Sequence, residues 1–135
     1  MGSLARGDRI SSRVYPRRNY HVISDQRDRT RAERGEMLLW NLAGDHLHDP
    51  SITRSTMMGY PCLRHNGAFF ACVERGTGHL IVKLPADRVQ ELVGSGCAES
   101  FAPNGPIFRE WAAFTRPHRK QWIALLNEAR RFVSG

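Results

Sequence analysis

Asp45, His46, His48 and Asp49 place two carboxylates and two imidazoles within five residues, the side-chain types that ligate metal ions. Spacing argues against that use. Residues two apart on a helix point about 200° from one another, so His46 and His48 diverge unless the segment is extended. A polar helix end before Pro50 is expected here, with no metal bound. Lys83 closes an otherwise apolar run, Leu80 to Leu84, and is the most suggestive single charge. It could meet an anionic ligand, pair with Glu110, or extend its stem along the sheet edge toward water. Arg109-Glu110-Trp111 offers a cation, a carboxylate and a stacking ring. On a strand, Arg109 and Trp111 would project together while Glu110 points away.

Met58-Gly59-Tyr60 could edge a pocket, since glycine lets a ligand approach the backbone; a bulge or strand entry is the structural reading of the same residues. The candidate ligand-binding set is therefore Met58, Gly59, Tyr60, Lys83, Arg109 and Trp111. An enzyme would have to gather Lys83, Arg109 and Glu110 into one cleft. No catalytic residue stands out. Cys62, Cys72 and Cys97 would each need a neighbouring base to act as nucleophiles. His65 is nearest to Cys62, but three residues along a strand is an odd offset and puts the two on opposite faces. Gly94-Ser95-Gly96 lacks the lysine ending of a phosphate loop, and no cofactor is implied.

Periodicity indicates the elements that must position these groups. Met37, Leu38, Trp40, Leu42 and Leu47 form an apolar helical face ending near Gly44 and Asp49-Pro50, and residues 52–56 read as a linker. Asn66-Gly67 between two apolar runs is a hairpin turn, because both residues tolerate positive φ. With a regular two-residue turn, His65 faces Ala68, Leu63 faces Phe70 and Cys62 faces Ala71, so Cys62 and Cys72 fall on opposite faces. Gly76-Thr77-Gly78 turns into a third strand over 79–84. Pro85 and Asp87 then open a helix whose buried stripe is Val89, Leu92 and Val93. A fourth strand is expected over 107–114. A last helix, from Pro117 or His118 to Val133, carries Trp122, Leu125, Leu126 and Ala129 at helical spacing. The order is α-β-β-β-α-β-α, an α+β domain with an antiparallel sheet of about four strands.

The net charge of +7 on 135 residues is unevenly placed. Residues 1–34 hold nine arginines against four acids, a balance of +5, whereas residues 35–135 are only +2. Residues 1–31 have too few apolar side chains to offset their ordering entropy and are expected to be a disordered leader. Order is expected from about Thr30 or Ala32, with the domain spanning 32–135. Nucleic-acid contact, if any, is expected only through this leader, at Arg13, Arg17 and Arg18. No stretch approaches the ~20 apolar residues of a membrane span. Three cysteines without paired spacing fit neither a disulfide framework nor a zinc site, and suggest a reducing cytoplasm.

The run Met57-Met58-Gly59-Tyr60-Pro61-Cys62-Leu63-Arg64-His65-Asn66-Gly67-Ala68-Phe69-Phe70 resembles the opening of the TfoX/Sxy N-terminal domain family. The similarity continues through Leu80 to Arg88, Phe101-Ala102-Pro103, Phe108 to Trp111 and the Trp122 helix. The small YjbR/MmcQ-like proteins share a similar strand plan. The resemblance implies a compact bacterial α/β domain and, for TfoX and Sxy themselves, regulation of competence genes by longer chains with a second helical domain. Both faces of the 57–73 hairpin are apolar, so one is expected to be covered by a partner or a second copy. The chain is thus expected to be a non-enzymatic binding or regulatory module acting through protein contacts or a small ligand.

Overall fold

Along helix α1 (Tyr20–His46), Gly35, Leu39, Leu42, Ala43 and His46 are buried at i, i+4, i+7, i+8 and i+11, an amphipathic stripe. This computed structural model describes the backbone from Tyr20 and the side chains from Thr30. The chain divides into two units, Met1–Arg31 and Ala32–Gly135, and the sheet belongs to the second. The helix thus takes in residues 20–31 of the expected disordered leader; residues 1–19, with Arg13, Arg17 and Arg18, lie outside the described residues. The buried stripe also differs from the expected one. Small Gly35 and Ala43 face inward with Leu39, while Met37 is 70% exposed. A β-carbon on Gly35 would lie 2.3 Å from the Gly78 carbonyl oxygen, so the helix rests backbone to backbone on the connection around Gly78. Counting large apolar residues alone misplaces the contact face.

The strands are β1 (Ile52–Met57), β2 (Tyr60–His65), β3 (Ala68–Val73), β4 (Leu80–Lys83), β5 (Glu99–Ser100) and β6 (Trp111–Phe114). Helix α2 (Ala86–Gly94) lies between β4 and β5 in sequence, and α3 (Arg119–Ser134) closes the chain. The described residues therefore form three helices and one six-stranded antiparallel sheet in the order β1-β2-β3-β4-β6-β5. The α+β class is as expected; the count of about four strands and the order α-β-β-β-α-β-α are not. The expected linker over 52–56 is the edge strand β1. Its residues alternate polar types without an apolar stripe, and pairing with β2 from Ile52↔His65 to Met57↔Tyr60 makes the strand. β5, the other edge, is too short to leave a periodic signal.

Two hairpin turns set the first half of the sheet. Asn66 (φ 49°) and Gly67 (φ 87°) form the expected positive-φ turn. Met58 (φ 53°) and Gly59 (φ 80°) make a second turn of the same kind between β1 and β2. Pairing across the Asn-Gly turn starts as expected, with His65↔Ala68 and Arg64↔Phe69, then shifts to Leu63↔Ala71 and Cys62↔Cys72. Phe70 is the extra residue of a β-bulge. A bulge aims two successive side chains to one face, and Phe70 and Ala71 both join the core on the helix side. Cys62 and Cys72 consequently stand directly opposite each other on one face, which corrects the regular-register expectation.

All three helices pack on one face of the sheet. Leu63, Phe70, Ala71, Val82, Ala112 and Phe114 meet Leu39 and Leu42 of α1, Val89 and Leu92 of α2, and Trp122, Leu125 and Leu126 of α3. Fully burying one such Leu or Phe contributes about 1.5–3 kcal/mol. Both later helices start and pack as their sequences indicate. Pro85 caps α2 without a side-chain bond, and Val89 donates to the Pro85 carbonyl at 3.0 Å. His118 caps α3, its Nδ1 accepting from the Gln121 amide at 3.2 Å. Buried Trp122 keeps its indole N–H satisfied on the Arg116 carbonyl at 3.0 Å.

Candidate ligand-binding face

The second face of the sheet holds a narrow apolar row. Cys62, Cys72, Ile81 and Ala113 follow one another across β2, β3, β4 and β6 by direct register, and Phe101 packs with them. Met57, Tyr60, Phe69 and Trp111 lean on this row from its flanks, half-buried. Burial raises the Cys62 thiol above its ordinary value and pushes Cys72 up to about 12, with Cys62 and Glu74 adding to the effect. Both are free thiols held in the protonated form, hence poor nucleophiles, and exposed Cys97 lies elsewhere. Burial, with Glu74 beside it, likewise raises the Tyr60 phenol.

One step along the strands runs a different row. Arg64 pairs with Phe69 across β2 and β3, and Lys83 pairs with Trp111 across β4 and β6. The Arg64 guanidinium lies over the Phe69 ring at 4.3 Å from its centroid, and the Lys83 ammonium is 5.8 Å from the Trp111 ring. Four neighbouring strands thus present cation, aromatic, cation, aromatic. Lys83 also meets Glu110 at 3.9 Å, one of the partners its position suggested. Such a half-exposed pair is weak and exchangeable. The Nε of Arg64 is buried and has no hydrogen-bond acceptor.

The structure therefore brings together Lys83 and Trp111 of the expected ligand set; Tyr60 shares their face but lies on the far side of the cysteine row, beside Glu74, and the others are elsewhere. Met58 and Gly59 form the β1–β2 turn, with Met58 53% exposed and the Gly59 carbonyl accepting from Arg75. Arg109 lines a separate groove of about 890 Å³ between α2 and the 100–109 segment, alongside Val89, Gln90 and Ile107. Lys83 and Glu110 do not line it. The expectation that Arg109 and Trp111 project together fails because the strand begins only at Trp111. Phe108 to Trp111 is a turn, with the Trp111 amide donating to the Phe108 carbonyl at 3.1 Å, so strand alternation does not apply to Arg109. Phe108 is itself pinned edge-to-face on Phe101, centroids 5.6 Å apart. Sequence reasoning missed Arg64 and Phe69. Their signal was present: they sit symmetrically about Asn66-Gly67, so any two-residue turn pairs them.

The Asp45-to-Asp49 cluster has a structural role. His46, the last residue of α1, is buried, and His48, in the turn beyond it, is exposed. Arg130 of α3 bridges the cluster, with Nη1 at 3.3 Å from His46 Nδ1 and Nη2 donating to Asp49 Oδ2. Asp49 also accepts from the Ser51 amide at 2.9 Å and hydroxyl at 2.7 Å, which holds its carboxyl below the usual value. Desolvation, aided by Arg130 and opposed by Asp45, lowers the His46 pKa. Among the described residues no group of three or more His, Cys, Asp or Glu could hold a metal ion. Nor, among them, is any helix long and apolar enough to cross a membrane. The chain matches no protein-family model, no curated protein and no solved structure.

Proposed function

We propose that this chain is a bacterial, cytoplasmic domain of the TfoX N-terminal type, working as a non-enzymatic binding or regulatory module whose ligand docks on the sheet face opposite the helices. One observation carries the reading. Arg64, Phe69, Lys83 and Trp111 form an alternating cationic and aromatic row beside the buried Cys62–Cys72–Ile81–Ala113 row. Such a surface favours a ligand that joins negative charge to an apolar or planar group. An enzyme built on Lys83, Arg109 and Glu110 fits less well, since Arg109 lines a cavity that Lys83 and Glu110 do not.

The test is a titration with ring-bearing anions, nucleoside monophosphates and aromatic carboxylates, followed by amide chemical shifts. Shifts gathered on Arg64, Phe69, Lys83 and Trp111 are expected. Shifts confined to the Arg109 groove, or none anywhere, would overturn the proposal.

A further inference from the structure

We infer that the ligand of this sheet face is a single-stranded nucleic acid, bound by stacking of its bases on the Phe69 and Trp111 positions with phosphates at Lys83 and Arg64. The inference rests on the proposed role of this face in binding and names the class of ligand. It departs from the expectation that nucleic acid would be met only by the arginine-rich N-terminal residues.

Order and spacing point to this ligand. Adjacent strands stand about 4.8 Å apart, so Phe69 on β3 and Trp111 on β6 are separated by roughly 10 Å, with Lys83 on the strand between them. A polyanion whose charges alternate with flat rings has that same alternation along its length. A mononucleotide would occupy one ring–cation pair and leave the other idle. A duplex hides the ring faces of its bases and has nothing to offer the two aromatics, whereas an unpaired strand stacks its bases on side-chain rings. The Arg64 guanidinium, lying on Phe69, presents its own outer plane for stacking. Glu110 holds Lys83 at 3.9 Å, a contact loose enough for a phosphate to replace.

The experiment uses the full chain and a fluorescent single strand of about eight nucleotides, read by anisotropy at about 0.2 M salt with excess unlabelled hairpin duplex present. The duplex saturates contacts made through general arginine–phosphate attraction. Binding of the single strand should persist, and Phe69→Leu and Trp111→Leu should each weaken it by at least about tenfold. Arg64→Met, which keeps the stem over Phe69, serves where either ring variant fails to fold and should weaken binding by about fivefold or more. Arg109→Ala, in the separate groove, should leave it unchanged. Complete displacement by duplex, or binding indifferent to all three face variants, overturns the inference. If nucleoside monophosphates shift Lys83 and Trp111 while the oligonucleotide does not bind, the binding module stands and its nucleic-acid ligand falls. If neither binds, both fall.

Discussion

The two faces of the sheet are built from the same strands and do opposite work. Toward the helices, the strands contribute large apolar groups to one continuous core with Leu39, Trp122 and Leu126. Away from them, the buried groups are mostly small, two thiols and an alanine beside Ile81, with rings and cations standing around them. Side-chain chemistry alone does not separate the faces, since Phe69 and Phe70 are adjacent and identical. Their difference is positional: strand alternation sends one to each side, and the bulge then keeps Ala71 with Phe70.

That pair gives the largest test. Phe70→Ala removes a fully buried ring and should cost about 3–5 kcal/mol, whereas Phe69→Ala, half-buried under Arg64, should cost about 1 kcal/mol. Chemical denaturation of both variants measures the gap, and equal losses would erase the distinction between faces. Next in size, Gly35→Ala drives a methyl group into the Gly78 backbone, where no flexible side chain can yield. An overpacking loss of about 1–3 kcal/mol is expected despite alanine's better helix propensity, and a stabilised variant would refute the close approach.

The helix side should also be the pH-sensitive one. His46 is held neutral, its folded-state pKa below the ordinary 6.5, so the unfolded chain binds the extra proton first. The stability it confers is fully present above pH 6.5 and declines as pH falls from there toward the folded-state value. Melting curves should show this slope in the wild type and lose it in His46→Gln. The smallest effect belongs to the β1–β2 turn. Met58 occupies a left-handed conformation that asparagine and glycine adopt more readily, so Met58→Asn should stabilise by about 0.5–1 kcal/mol. A denaturation midpoint that does not rise would count against the turn geometry.

Much of the helix side was legible in the sequence. The Trp122 stripe, the Pro85-initiated helix and the Asn66-Gly67 turn each follow from local rules that the tertiary structure leaves in force. The other face was harder to read because its arrangement depends on non-local pairing. A single extra residue in β3 changes which face Cys72 occupies, and nothing within Ala68 to Val73 announces it. β1 and β5 were unreadable for a related reason, since polar edge strands take their form from a neighbour rather than from their own pattern. Lys83 and Trp111 were singled out for their chemistry, and the register alone joins them to Arg64 and Phe69.

The unequal edges of the sheet set a limit on growth. β5 offers two residues and cannot template a further strand of any length, whereas β1 exposes six, broken by Arg54, whose guanidinium stacks 4.1 Å from the Trp40 ring. A sheet with one usable margin can be extended by a single added strand or joined once to another copy. Among the described residues the β5 edge is too short to carry the sheet further, so edge-to-edge growth is confined to β1.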